Sequence, residues 1–129
     1  IVALLQPTSP LRSSARIDEA VRLLRRRGAD TVVGVCPPAV HPWKCVRFSG
    51  GRMSYAVPRP KLPVARQRYP EALAINGALY VTRAENILAG RVYGPRVLPL
   101  VMEPWESVDI DEPADLALAD HYLKESRRR

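Results

Sequence analysis

The sequence has only 2 cysteines among its 129 residues, and aromatic side chains make up 6% of it. Two cysteines are too few for a disulfide framework, and the spacing of Cys36 and Cys45 does not match that of zinc ligands. We therefore expect two reduced thiols in a cytoplasmic protein. No apolar run approaches the ~20 residues that span a membrane, and the chain opens without a signal peptide.

Some catalytic and nucleic-acid-binding patterns are absent as well. His41 and His121 lie far apart, and no Ser-His-Asp or Cys-His arrangement is visible, which argues against a covalent hydrolase. The net charge is +7, but the arginine runs at 25–27 and 127–129 end predicted helices, where cations suit the helix dipole. Without interleaved aromatic residues, this charge predicts no nucleic-acid partner, although a small basic nucleic-acid-binding protein stays an alternative.

The order of apolar runs and turn residues predicts an α/β fold. Ile1–Leu5 and Thr31–Cys36 are continuously apolar, which is typical of strands buried on both faces. Between them, a helix is predicted to begin at a serine cap at position 13 or 14 and to end at Gly28. A strand-helix-strand unit predicts two parallel strands. We therefore expect a mostly parallel, Rossmann-like sheet with helices on both faces.

The composition changes after the second predicted strand. Residues 37–72 are rich in proline and contain a predicted antiparallel hairpin with its turn at 49–51, followed by an extended arm. Three further strands are expected at "GALYVT", "VLPLVM" and "SVDI", and the proline in "VLPLVM" places that strand near an edge. Asp111 is expected to cap the last helix. The chain therefore predicts one domain with an antiparallel insertion.

Polar side chains follow the predicted strands at both ends of the chain. Gln6 and Arg12 lie in "LLQPTSPLR", and their amide and guanidinium groups suit anions or sugar oxygens. Asp109 and Asp111 in "VDID" project from one face of an extended segment, an arrangement that suits Mg²⁺. The alternatives are a turn that satisfies its own backbone and an Asp111 that only caps the helix.

Two cations in the insertion are further candidates for binding an anion. Lys44 follows "HPW", and Arg66 lies in the predicted arm. Either side chain could meet a carboxylate or a phosphate, or be a solvated surface charge.

Taken together, these segments resemble the CMP-sialic acid synthetases, the acylneuraminate cytidylyltransferases. The resemblance rests on "LLQPTSPLR", "NGALYVT" at 76–82 and "ESVDIDEPADLALAD" at 106–120, in this order. It implies transfer of CMP from CTP to the anomeric hydroxyl of a nine-carbon 2-keto sugar acid, with release of pyrophosphate. Family members begin with a strand and a glycine-containing loop for the CTP triphosphate, which this chain lacks. It is therefore expected to be one partial nucleotidyltransferase domain over residues 1–129, with the N-terminal part of the fold missing, and inactive alone.

The resemblance also implies roles for individual residues. Asp109 and Asp111 would be catalytic and would hold Mg²⁺ or another hard divalent cation. The proton acceptor stays open between Asp109 and a metal-bound hydroxide. The implied substrate-binding residues are Gln6, Arg12, Lys44, Arg66, Asn76 and Tyr80.

The implied partners are CTP, a nonulosonic acid and a second copy of the chain, with neither nucleic acid nor membrane. Residues 37–72 would form the dimer contact and bring Lys44 or Arg66 to the neighbour's site. Two alternatives stay open: a synthetase for an eight-carbon ulosonic acid and a non-catalytic dimerising fragment. The motif "LLQPTSPLR" argues against the first, because it resembles the nine-carbon branch of the family. Val92-Tyr93 replaces the adjacent aromatic residues usual near the acyl pocket, so the identity of the sugar stays open.

Overall fold

A computed structural model describes residues 1–58 and 64–126 of the chain. These residues form two compact units, each described here by itself. The first contains residues 1–36 and the described chain from Ile75 onward, and the second is Pro37–Ala74. The middle of the predicted arm (59–63) and the terminal arginine run (127–129) lie outside the described residues.

The described chain contains six strands, three α-helices and three short 3₁₀ turns. The strands are β1 (Val2–Leu4), β2 (Thr31–Cys36), β3 (Val46–Ser49), β4 (Arg52–Tyr55), β5 (Ala74–Thr82) and β6 (Val97–Val101). The helices are α1 (Ser14–Arg27), α2 (Ala84–Leu88) and α3 (Pro113–Ser126). The 3₁₀ turns are Pro42–Lys44, Arg66–Arg68 and Pro104–Ser107.

Four strands form the sheet of the first unit, in the order β1-β5-β2-β6. β2 and β6 pair in parallel, whereas β1 and β5 pair antiparallel. β2 and β5 are antiparallel. The start of β2 lies at the end of β5, because the Arg83 N–H donates to the Asp30 carbonyl (3.0 Å), and Gly34, farther along β2, lies beside Leu79, earlier in β5. Hence β1, β2 and β6 share one direction, and β5 opposes them.

The α/β class is confirmed, but the expectation of a mostly parallel sheet is only partly right. β1 and β2 run in the same direction, as the strand-helix-strand pattern predicts, yet they are not neighbours because β5 lies between them. The arrangement is compatible with a nucleotidyltransferase-like α/β fold. Helices on both faces stay a prediction.

The hydrophobic core of the first unit joins α1 to the sheet. Ala20 and Leu24 from α1 are fully buried together with Val32 of β2 and Leu79 of β5. The left-handed Gly28 (φ 61°) ends α1 as the sequence predicts, because glycine adopts this conformation without a Cβ clash. Among the described residues, no helix is both long and apolar enough to cross a bilayer.

β1 and "SVDI" differ from their sequence-based predictions. β1 is not buried on both faces: it lies at the end of the strand order, and Leu4 is 45% exposed. "SVDI" is not a strand, because the 3₁₀ turn Pro104–Ser107 takes its first residue and the segment after it is irregular. By contrast, "VLPLVM" does form the edge strand β6, with Pro99 inside it.

The start of α3 also differs from the prediction that Asp111 caps it. The helix begins at Pro113, and the Asp115 carboxylate accepts the backbone N–H groups of Asp111 (3.1 Å) and Glu112 (2.9 Å). A carboxylate in the first turn can reach back to the amides that precede the helix, as in a capping box. Asp115 therefore satisfies the amides near this helix start, and the Asp111 side chain is exposed.

The second unit contains the predicted hairpin. β3 and β4 pair antiparallel, with Val46 opposite Tyr55, and their turn uses two left-handed glycines, Gly50 (φ 58°) and Gly51 (φ 74°). Two consecutive residues with positive φ form the turn that matches the twist of a hairpin. This part of the fold is confirmed.

Candidate functional site

The loop after β1 is folded on itself. Arg12 donates from Nη1 to the carbonyl oxygens of Gln6 (2.7 Å) and Ser9 (2.5 Å), and the Ser9 N–H also donates to Gln6 O (3.3 Å). These contacts use the guanidinium of Arg12 to order the loop that carries Gln6. In this structure Arg12 therefore supports the loop backbone.

The segment after β6 lies against this loop. The Ile110 N–H donates to the Thr8 carbonyl (2.8 Å), and the buried Ser9 hydroxyl donates to Asp109 Oδ1 (3.4 Å). Asp109 itself is half-buried. The two polar segments found in the sequence, about 100 residues apart, are therefore neighbours in the fold.

A glycine in β5 lets Gln6 and Asp109 approach each other. Gly77 has φ +74°, and a Cβ built on it would lie 2.2 Å from Gln6 Oε1 and 3.8 Å from Asp109 Oδ2. The first distance is far below any real contact of a Cβ, so only glycine fits here without displacing Gln6. The carboxamide and the carboxylate thus both lie over the Cα of Gly77.

Asn76 holds the kinked backbone next to this glycine. Its Nδ2 donates to Ser107 Oγ (2.9 Å) and contacts Met102 Sδ (3.3 Å), while its Oδ1 accepts the Ala78 N–H (3.1 Å). The side chain is buried, and these contacts all lie within the protein. The contacts found for Asn76 support the backbone of its own strand, and its substrate-binding role stays a prediction.

Tyr80 lies on β5 near the same point. Burial raises the pKa of its phenol, and the neighbouring Tyr93 and the Asp109 carboxylate raise it further. The Tyr80 and Tyr93 rings meet edge to face with centroids 6.2 Å apart. Because its pKa lies above the ordinary value of 10.0, the Tyr80 phenol is protonated at neutral pH and can donate a hydrogen bond.

A buried ion pair that the sequence analysis did not find joins the same two segments. Arg16 Nε and Nη2 contact the Glu106 carboxylate at 2.7 to 3.1 Å, and Glu106 is 3% exposed. Burial alone would raise the pKa of Glu106, but its hydrogen bonds with Arg16 and with the Glu103 N–H hold it below its usual range. The carboxylate in turn raises the pKa of Arg16. A local signal existed only for Glu106, which completes a capping box with Glu103.

Lys44 and Arg66 line one cleft within the second unit. The cleft holds about 280 Å³ and is bordered by Pro37, Pro38, Ala39, His41, Lys44, Arg66 and Tyr69. Two cations that line one concave cleft raise the local concentration of anions. The structure thus brings these two predicted residues together.

His41 connects two walls of this cleft. Its Nδ1 accepts the Trp43 N–H (3.1 Å), so its Nε2 is the donor to the Pro70 carbonyl (3.0 Å). Its ring also packs on Tyr69 with centroids 4.7 Å apart. His41 thereby links the turn before Lys44 to the segment after Arg66.

The carboxylates suit a divalent cation only in part. Within residues 1–58 and 64–126, no group of three or more His, Cys, Asp or Glu side chains is placed to hold a metal ion. Mg²⁺, however, is commonly held by one or two carboxylates together with substrate phosphates. The half-buried Asp109 fits such a site, whereas the structure leaves Asp111 exposed before α3.

Two known proteins are similar to almost the whole chain. The chain is 30% identical over 124 residues, 95% of its length, to N-acylneuraminate cytidylyltransferase A of Danio rerio. It is 32% identical over 126 residues, again 95% of its length, to CMP-N,N'-diacetyllegionaminic acid synthase of Legionella pneumophila. The resemblance predicted from the sequence is confirmed.

The similarity to these cytidylyltransferase relatives covers only part of each of them. The chain spans 29% of the Danio rerio protein and 53% of the Legionella pneumophila protein. No family model matches the chain.

The contact over Gly77 can be tested against a second left-handed glycine. Gly77→Ala costs about 1–2 kcal/mol for the left-handed backbone, and it also displaces the Gln6 carboxamide from its contacts, because the new methyl group would lie 2.2 Å from Gln6 Oε1. Gly90→Ala is the control, because Gly90 has φ +70° and open space around it, so only the backbone cost applies. The free energy of unfolding, measured with urea in the complete protein, should fall further for Gly77→Ala. Equal losses in the two variants would contradict the described contact.

Proposed function

We propose that the protein containing this chain transfers CMP from CTP to the anomeric hydroxyl of a nine-carbon 2-keto sugar acid, releasing pyrophosphate. N-acylneuraminate and legionaminic acid are the candidate sugars, because the two relatives are named for them. The observation that carries the proposal is the approach of Gln6 and Asp109 to each other over Gly77, with Tyr80 close enough for the Asp109 carboxylate to raise its pKa. These side chains combine a carboxylate with neutral donors, as this reaction requires.

The chemistry needs charge compensation rather than a protein nucleophile. The anomeric oxygen attacks the α-phosphorus, a new P–O bond forms, and the bond to the β-phosphate breaks, so that pyrophosphate leaves with the electron pair. A bound Mg²⁺ would neutralise phosphate charge in this step. We propose that Asp109 holds the cation, with Asp111 as a further ligand from its exposed position.

Asp109 is also our candidate to accept the proton of the attacking hydroxyl. It is half-buried, and its contact with the Ser9 hydroxyl is long at 3.4 Å, which leaves capacity to accept further hydrogen bonds. A metal-bound hydroxide is the other candidate base. Both candidates need the Asp109 carboxylate, either as the base itself or as the ligand of the cation that binds the hydroxide.

We propose that neutral hydrogen-bonding groups of the first unit bind the sugar. The Gln6 carboxamide offers both a donor and an acceptor, and the protonated Tyr80 phenol offers a donor to a sugar hydroxyl. Arg12 and Asn76 act indirectly in this proposal, because their hydrogen bonds hold the loop and the β5 kink.

We propose that the cleft of the second unit binds the sugar carboxylate. Arg66 is the better partner, because a planar guanidinium can donate two parallel hydrogen bonds to a carboxylate. Lys44 adds a second positive charge to the lining of the same cleft. In a homodimer, this cleft would serve the neighbouring protomer.

The β3–β4 hairpin supports the proposal of a homodimer through residues 37–72. Val46 and Phe48 lie on one face of the hairpin with Met53, and Phe48 and Met53 are 78% and 68% exposed. Arg47 and Ser54 occupy the opposite face. A two-stranded hairpin is marginal in water by itself, so an apolar face of this kind favours cover by a second copy.

The enzymatic proposal predicts pyrophosphate release from CTP that depends on Mg²⁺ and on a sugar acid. In the complete protein, Arg66→Ala should raise KM for the sugar acid at least about tenfold, because it removes a charged hydrogen bond worth about 1.5–3 kcal/mol. Arg68→Ala is the matched control, since Arg68 lies in the same 3₁₀ turn but does not line the cleft. Its KM should change less than about twofold.

The sugar panel should contain N-acylneuraminate, legionaminic acid and an eight-carbon ulosonic acid. Release with a nine-carbon acid supports the proposal. Pyrophosphate release only with the eight-carbon acid would instead identify a synthetase for an eight-carbon ulosonic acid. No release with any of the acids would refute the proposed function. Equal KM values for Arg66→Ala and Arg68→Ala would contradict the proposal that the cleft binds the sugar carboxylate.

The dimer proposal predicts that charges on the apolar hairpin face separate the protomers. Phe48→Glu combined with Met53→Glu should shift the complete protein from dimer to monomer in sedimentation equilibrium, because the carboxylates would be buried without partners. Ser54→Glu, on the opposite face of the same hairpin, should leave the dimer intact. A monomeric parent protein, or a dimer unaffected by the double substitution, would contradict this interface.

A further inference from the structure

The Arg16–Glu106 ion pair differs from the other ion pairs of the described residues in burial and in geometry. Glu106 has a side-chain exposure of 4%, and Arg16 reaches it through two nitrogens, Nε and Nη2, at 2.7 to 3.1 Å. The Asp120–Lys124 pair on α3, by contrast, is more than half exposed on both sides. Exposed pairs contribute little, whereas a two-point buried pair fixes the orientation of both partners.

Both partners of this pair are fixed to their own segments. Arg16 lies in the first turn of α1, directly after the loop that carries Gln6, and it also contacts Glu19 (3.0 Å). The Glu106 carboxylate accepts the Glu103 N–H (3.1 Å) and so belongs to the 3₁₀ turn Pro104–Ser107. The pair therefore joins two short, internally fixed pieces of backbone.

The segment that follows this turn contains Asp109. Among the residues that the structure describes, two hydrogen bonds beyond the ion pair connect it with the opening loop: Ile110 N–H to Thr8 O (2.8 Å) and Ser9 Oγ to Asp109 Oδ1 (3.4 Å). The segment from 108 to 110 has no regular secondary structure that would hold it in place. The ion pair is thus the strongest polar connection between the two described polar segments.

We propose that Arg16 and Glu106 are positioning residues that hold Asp109 at its place against Gln6. Removing the guanidinium leaves a buried carboxylate without its partner, and the turn must then move toward water to solvate it. Such a movement carries Asp109 away from Gln6, and small displacements of a reacting group reduce rates strongly. The inference depends on the proposed function only for the consequence at Asp109, since the coupling itself is structural.

Hydrogen exchange followed by mass spectrometry tests this coupling without any need for activity. In the complete protein, Arg16→Met should speed exchange of a peptide covering 107–112 at least about tenfold. The β2 peptide, which lies in the core, should keep its wild-type exchange. Arg16→Lys keeps the charge but loses the two-point contact, so it should fall between Arg16→Met and the wild type. Lys124→Met, which breaks the exposed pair with Asp120, is the matched control and should leave 107–112 unchanged.

Two outcomes would overturn the inference. One is unchanged exchange at 107–112 in both Arg16 variants. The other is an equal acceleration at 107–112 and in β2, which would make the pair a general stabiliser. If Arg16→Met does not fold, Arg16→Lys alone decides between these outcomes.

Kinetics of the same variants give a second readout. With CTP and the sugar acid, Arg16→Lys should lower kcat about tenfold and change KM for the sugar acid less than about twofold. An unchanged kcat below the melting temperature would contradict a positioning role. An inactive wild-type protein would refute the proposed function, while the exchange experiment would still decide the inference.

Discussion

The rest of the site depends on the close approach of three separate pieces of chain at Gly77. β5 brings a residue without a side chain, the opening loop brings the Gln6 carboxamide, and the segment after β6 brings the Asp109 carboxylate. A Cβ at position 77 would lie 2.2 Å from Gln6 Oε1, so any other residue would displace the carboxamide from its present position. The positive φ of this residue also kinks β5 where these side chains meet.

Polar contacts hold β5 at both ends of this arrangement. At one end, the Asn76 side chain accepts the Ala78 N–H through Oδ1 and donates to Ser107 Oγ through Nδ2. At the other, the buried hydroxyls of Thr31 and Thr82 lie 2.9 Å apart, and Asn86 Nδ2 donates to Thr82 (3.0 Å). In the described part of the chain, every buried side-chain nitrogen or oxygen has a hydrogen-bond partner. The strand that carries Gly77 and Tyr80 is therefore fixed in register, which a site made of short side chains requires.

Features with a local chemical cause could be predicted from the sequence, and long-range ones could not. Gly28 ends α1 and two glycines turn the hairpin because each needs a left-handed backbone. The position of β5 between β1 and β2 has no local signal, since strand order is decided by packing. The predicted Asp111 cap was wrong because the helix begins only at Pro113, and the Asp115 carboxylate of its first turn accepts the N–H groups of Asp111 and Glu112. The Arg16–Glu106 pair was missed because its partners lie 90 residues apart.

The central proposal is that Gln6 and Asp109, which approach each other over Gly77, border one binding site for a divalent cation. Mn²⁺ broadens nuclear resonances steeply with decreasing distance, so its titration into the complete protein measures this directly. The side-chain amide of Gln6 should broaden at the lowest Mn²⁺ concentrations, while that of Asn86 should stay sharp, and Asp109→Asn should abolish the effect. Broadening of other residues at saturating Mn²⁺ with a sharp Gln6 amide would contradict the account.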